Sequence, residues 1–232
     1  GLNIQQRGTG FINKMIELIK ADGKTVAVKG NEFYVNAAEG ADAEEADADV
    51  VIQVAVPAQT TVELCSTEAQ AILSQENCIA IFGSNQVAAE GVLAANANLN
   101  VLGSDAANGD VIGVGFDAGS IIKAAVTDGT FLGAVTQSPL MMGYYAIYAL
   151  TAAANGQELE DVPTDGYWYD STNMDDEEIF LAFTSYSYEG ATIENMITHG
   201  DIRTVDYTYD LTEEDGTFTF GLNFCLGFAD GG

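Results

Sequence analysis

Four polar side chains stand at or just beyond the ends of expected strands: Arg7, Asn85, Asp117 and Gln137. In an open parallel sheet the strand ends face one crevice, and ligands bind there. One guanidinium, one carboxylate and two side-chain amides make a mixed donor and acceptor set. Such a set suits hydroxyl groups, which both give and accept hydrogen bonds. Phe33, Tyr34 and Phe116 supply candidate aromatic faces of the kind that the apolar side of a sugar ring packs on. Only two arginines occur in the chain, Arg7 and Arg203, so the cation at position 7 is a scarce one.

Other chemistry finds less support. His199 is the single histidine, it sits beside Gly200, and no GxSxG, HExxH or GxxxxGK[ST] segment accompanies it. No catalytic residue is therefore assigned, and the chain is expected not to be an enzyme. The run GVGFDA at 113–118 matches the GxGxxA form of a dinucleotide fingerprint. It lacks the acidic residue about 20 positions on, and Phe116 would crowd a pyrophosphate, so no cofactor is expected. Carboxylate clusters at 42–49, 175–178 and 210–215 lack the calcium-loop pattern, which leaves them as solvated acidic faces with no metal site. Cys65, Cys78 and Cys225 show no CxxC spacing and read as small buried residues. The YWYD run at 167–170 has strand spacing, which favours a core role for its aromatics.

Composition narrows the partners. The 232 residues are 47% hydrophobic, ample for a core, and carry 35 acidic against 7 basic residues for a net charge of −28. That charge repels nucleic acid phosphates and an anionic membrane surface, so neither is an expected partner. No apolar run reaches the 18 residues needed to span a bilayer, and the first residues lack the basic-then-apolar order of a signal peptide. A soluble chain with any export signal removed is the expectation.

The elements that must position the polar set follow from periodicity. Ile12, Met15, Ile16 and Ile19 recur at helical spacing, and ADGKTVAV then gives a turn and a short strand. An acidic, Ala-rich stretch passes into the β-branched run 50–56, which stops at Pro57. Thr67 and Gln70 fit a capping box for a helix through Leu73. CIAIFGSN reads as a strand, QVAAEGVLAANA as a helix, DVIGVGF as a strand, and Ser120 as the cap of a helix to about Asp128. FLGAVTQ is then a strand, followed by a helix with Pro139 early and Gly156 as its C-terminal cap. This alternation predicts an α/β fold, an open parallel sheet with helices on both faces. The tail differs: 205–211 and 218–224 alternate apolar with polar residues around TEEDG, which predicts a C-terminal antiparallel β-hairpin with one apolar face.

At these residues the chain resembles the type I periplasmic sugar-binding proteins of ABC transporters, the ribose- and galactose-binding group, and mainly their C-terminal half. QRGTGF is similar to the family's arginine segment, and AIFGSNQVAAEGVLAA to its strand-Asn-helix segment. The run from VIGVGFDAGS to MMGYYAIYAL resembles its Phe-Asp through Gln-Pro segments, and GYWYDSTNMDDEEI the closing segment of some members. The resemblance implies a lobe over residues 1–179, with an atypical acidic insertion at about 37–62; the β-rich extension expected over 180–232 has no counterpart in it. It implies that Arg7 donates to sugar hydroxyls or the ring oxygen, that Asn85, Asp117 and Gln137 complete the polar shell, and that Phe116 contacts the ring. Phe33 or Tyr34 falls where the family places a stacking aromatic, and the spacing does not settle which. The implied function is to hold a monosaccharide for a membrane ABC permease, outside the cell or in the periplasm. A second reading is an extracellular structural protein that self-associates through the 204–224 hairpin, whose apolar face needs a partner.

Overall fold

A computed structural model describes residues 1–164, 166–176 and 179. The expected boundary at 179/180, the tail hairpin, His199 and Cys225 lie outside the described residues. The chain divides into two compact units: residues 1–116 with 129–132, and residues 117–128 with those from 133 onward.

In the first unit, helix α1 (Leu2–Ala21) buries Ile12, Ile16 and Ile19 against Val26 and Tyr34, with Met15, Val28, Val50, Ile52 and Val54 packed around them. Burying each of those isoleucines contributes roughly 2 kcal/mol. Strand β1 (Val26–Gly30), helix α2 (Glu32–Ala37) and strand β2 (Val50–Val54) follow, and β2 pairs with β1 in parallel from Val26↔Val50 to Gly30↔Val54. These two strands form a two-stranded parallel sheet of their own, and the α/β alternation is as expected.

The acidic stretch between α2 and β2 is fastened to this core, and it departs from a purely solvated face. Asp42 Oδ1 accepts from Val26 N at 3.1 Å, and its Oδ2 pairs with Lys20 Nζ at 3.2 Å. Asp49 Oδ2 accepts from Thr25 N at 2.8 Å and from Thr25 Oγ1 at 2.9 Å. Lys29 pairs with Glu45.

Helix α3 (Val62–Leu73) packs against α4 (Gln86–Leu99). A Cβ at Gly91 would lie 2.4 Å from Cys65 Cβ, so glycine is what lets the two helices cross so closely. Strands β3 (Ala80–Phe82) and β4 (Leu102–Gly103) each pair in parallel with β5 (Val111–Phe116), and a 3₁₀ turn at Ala106–Asn108 joins β4 to β5.

In the second unit, helix α5 (Ser120–Thr127) buries Ile122, Ala125 and Val126. Strand β6 (Gly133–Gln137) leads into helix α6 (Pro139–Ala154), and strand β7 (Gly166–Tyr169) pairs with β6 antiparallel, Ala134↔Tyr169 through Gln137↔Gly166. The strand pairing is thus parallel in the first unit and antiparallel here. Helix α6 contains no charged residue, and its Met142, Tyr144, Tyr148 and Leu150 are exposed.

Three local expectations need correction. Helix α1 starts at Leu2, ten residues before the periodic run, because its first turns find tertiary partners that periodicity does not report. Helix α3 is capped by Thr61, whose Oγ1 accepts from Leu64 N at 3.3 Å, while Thr67 lies inside the helix and donates to Glu63 O at 2.9 Å. Ser120 is the first helical residue of α5 and not its cap, a position that Gly119 takes.

Candidate functional site

Arg7 lies in the second turn of α1, not after a strand. Its Nη1 donates to Ser84 O at 2.6 Å, and its guanidinium carbon sits 3.3 Å from the centroid of the Phe116 ring. Phe116 is buried at the end of β5, so one face of a fixed aromatic ring carries the cation. Stacking and a charge-assisted hydrogen bond together hold the fork in one orientation. One turn further along α1, Phe11 stacks on Phe82 with centroids 4.6 Å apart. The helix therefore touches the end of β3 at two successive turns.

Ser84 precedes Asn85, which is the N-cap of α4: its Oδ1 accepts from Ala88 N at 2.8 Å. That acceptor is spent on the helix, and the Nδ2 donors are what Asn85 can offer a ligand. Arg7, Asn85 and Phe116 are thus drawn to one place through Ser84. The two aromatics after β1 separate clearly. Tyr34 is 8% exposed, inside the isoleucine core, and its hydroxyl donates to Ile4 O at 3.4 Å. A Cβ at Gly8 would come within 2.5 Å of Tyr34 Cε1, so α1 accepts this ring only because residue 8 is glycine. Tyr34 is a core residue and not an open stacking face. Phe33 is 46% exposed, with its ring edge-on to Tyr34 at 5.1 Å.

In the second unit Asp117 has φ +70°, its N–H donates to Val135 O at 2.7 Å, and its carbonyl accepts from Tyr169 Oη at 2.8 Å. Gln137 closes β6 opposite Gly166, and the buried Thr136 hydroxyl donates to Gln137 O at 3.0 Å. The YWYD run divides by strand alternation: Tyr169 is buried, while Trp168 is on the exposed face and donates from Nε1 to Asp170 Oδ2 at 2.9 Å. The Thr172 hydroxyl, with Trp168 next in weight, holds the Asp170 carboxyl below its ordinary pKa. Among the described residues no group of three or more His, Cys, Asp or Glu is placed to hold a metal ion.

Two contributors escaped the sequence reading. Ser84 acts through its carbonyl, for which a side chain gives no signal. Tyr169 was readable as a core aromatic from its alternation, but its bond to residue 117 spans 52 positions and nothing local announces it.

The family model described as a periplasmic binding protein domain matches residues 1–158, and the chain belongs to that family. A search of curated proteins finds no match. Among solved structures, one described as an ABC transporter, LacI family transcriptional regulator from Brachyspira murdochii is similar at 27% identity and a TM-score of 0.55, over 76% of this chain and 63% of that one. An ABC transporter solute-binding protein from Agrobacterium vitis with bound D-fucose aligns at 18% identity and a TM-score of 0.55, over 76% of this chain and 61% of that one. A periplasmic ribose ABC transporter protein from Conexibacter woesei aligns at 23% identity and a TM-score of 0.51, over 72% and 58%. The last two show the shared fold. This chain spans less than two thirds of the length of each, at 63%, 61% and 58%.

Proposed function

We propose that this chain holds a monosaccharide for a membrane ABC permease and performs no chemistry on it. Membership of the periplasmic binding protein family supports a solute-binding role, and the D-fucose in one solved relative supports a sugar as the solute. This reading puts the protein in the periplasm or outside the cell, and among the described residues no helix is long and apolar enough to cross a membrane. The charge of −28 opposes contact with DNA, which favours the transport half of the Brachyspira protein's description over the transcriptional half.

The observation that carries the reading is Arg7. A guanidinium fixed by the Phe116 ring and the Ser84 carbonyl has lost its rotamer freedom before any ligand arrives. Such preorganisation lowers the entropic cost of binding a neutral polyol. Asn85, the residue after Ser84, adds amide donors, and Asp117 and Gln137 are the acceptor-bearing residues of the expected set. Phe33 is the exposed aromatic after β1 and the one available to a sugar ring. Isothermal titration of the full chain against a panel of pentoses and hexoses tests the reading. A folded sample that releases no binding heat with any of them refutes it.

A further inference from the structure

Asp117 is one of two non-glycine residues with positive φ among those described, and the other, Asn100, ends α4 as its C-cap. The left-handed region brings Cβ against the following carbonyl, so glycine is its ordinary occupant and an aspartate there carries strain. Asp117 is held in that conformation from both ends. Its N–H is bonded to Val135 O of β6, and its carbonyl takes the Tyr169 hydroxyl of β7. Tyr169 pairs with Ala134, the residue before Val135, so two paired strands grip the two peptide groups that flank one strained Cα. Tyr169 is fully buried. Burial first, and then the nearby Asp117 carboxylate, raise its pKa, so the hydroxyl keeps its proton and remains a donor across the physiological range.

We propose that Tyr169 is a positioning residue for ligand binding, its hydroxyl locking Asp117 in the left-handed conformation that presents the carboxylate to a sugar. The proposal rests on the reading of Asp117 as a ligand contact. A residue that only shaped a turn would be better served by glycine, which pays no strain at this φ. Retaining a strained aspartate and spending a buried hydroxyl on its main chain is accounted for if the carboxylate itself is needed at that spot.

The test is a double-mutant cycle on the full chain, titrated with D-ribose, D-allose, D-galactose and D-fucose, with the tightest binder then used throughout. Tyr169→Phe keeps the ring and removes the bond, and it should weaken binding about fivefold to tenfold. In an Asp117→Ala background, which already lacks the carboxylate, Tyr169→Phe should cost nothing further, because the two residues act as one. A merely structural tyrosine would lower the melting temperature and leave the dissociation constant unmoved, or would weaken binding equally in both backgrounds. Either result overturns the proposal, as does a Tyr169→Phe protein that fails to fold. Asp117→Asn, which tolerates the same φ, should bind weakly while melting like the parent. If the parent chain binds none of the four sugars, the functional reading falls and the proposal with it. If the parent binds and Tyr169→Phe binds equally well, only the role of Tyr169 falls.

Discussion

Arg7 in the first unit and Asp117 in the second are fixed by opposite means. Arg7 has an unstrained helical backbone, and its side chain is what the structure grips, through the Phe116 ring and the Ser84 carbonyl. Asp117 has a strained backbone gripped at both peptide groups by β6 and β7, and neither of those two bonds uses its carboxylate. The contrast follows from side-chain length. A long flexible cation loses rotamer entropy on binding unless it is pinned beforehand, whereas a short carboxylate goes where its Cα puts it. Each residue is preorganised at the link where it would otherwise be loose.

The largest effect expected from breaking this comparison is at Arg7. Arg7→Ala should weaken sugar binding about a hundredfold, the loss of a charged hydrogen-bond donor costing roughly 1.5–3 kcal/mol. Arg7→Lys should recover little of it, since an ammonium has neither the planar face for Phe116 nor the fork. Calorimetry on both variants checks this, and full recovery by lysine would show that charge alone suffices.

Asp117→Gly gives the opposite signature. It relieves the left-handed strain, so the melting temperature should hold or rise, by up to about 1 kcal/mol of stability. It also removes the carboxylate, so binding should weaken about tenfold. Loss of stability and of binding together would mean that the side chain serves the fold.

What the sequence discloses about these anchors also differs between them. The runs that became β2, β3, β5 and β6 were legible because β-branched or apolar residues bounded by Gly, Pro, Asn and Asp leave few alternatives. Helix α4 was legible from its Ala- and Val-rich run and α6 from Pro139 near its start, while the caps Asn85 and Ser138 are findings of the fold. The start of α1 was not, because QQRGTG holds two glycines and no periodic face, and what stabilises it is the Tyr34 ring seated over Gly8. The choice of Arg7, Asn85, Phe116, Asp117 and Gln137 as candidates came from expected strand-end position and family resemblance. Their anchoring did not, because a cation over a ring 109 positions away and a tyrosine on a carbonyl 52 positions away are properties of the fold.

A smaller effect separates the two aromatics after β1. Phe33→Ala removes an exposed ring and should change stability by less than about 0.5 kcal/mol while weakening binding severalfold. Unchanged affinity would remove Phe33 from the expected contacts. Tyr34→Phe keeps the buried ring and loses only a long bond to Ile4 O, so affinity should not move.

The smallest expected effect concerns the acidic stretch before β2, and it asks whether the seat of Arg7 depends on how β1 is fastened. Asp42 and Asp49 have carboxyl pKa values lowered in the folded chain, Asp42 first by the Val26 N–H and then by Lys20, Asp49 first by the Thr25 N–H and then by the Thr25 hydroxyl. A depressed folded pKa contributes stability that is present above the unfolded value of about 3.9 and is lost as pH falls through the folded value. Urea midpoints should therefore fall on acidification below about pH 4, and Asp49→Asn should flatten that fall while leaving the midpoint at pH 7 slightly lower. Both carboxylates are exposed, so solvent screening keeps the effect small. Sugar affinity of Asp49→Asn at pH 7 should match the parent, because Arg7 is anchored on Ser84 and Phe116 and not on β1. A matching loss of affinity would show that the helix carrying Arg7 is positioned through the β1 edge, and the side-chain account of its anchoring would then have to include the core beneath it.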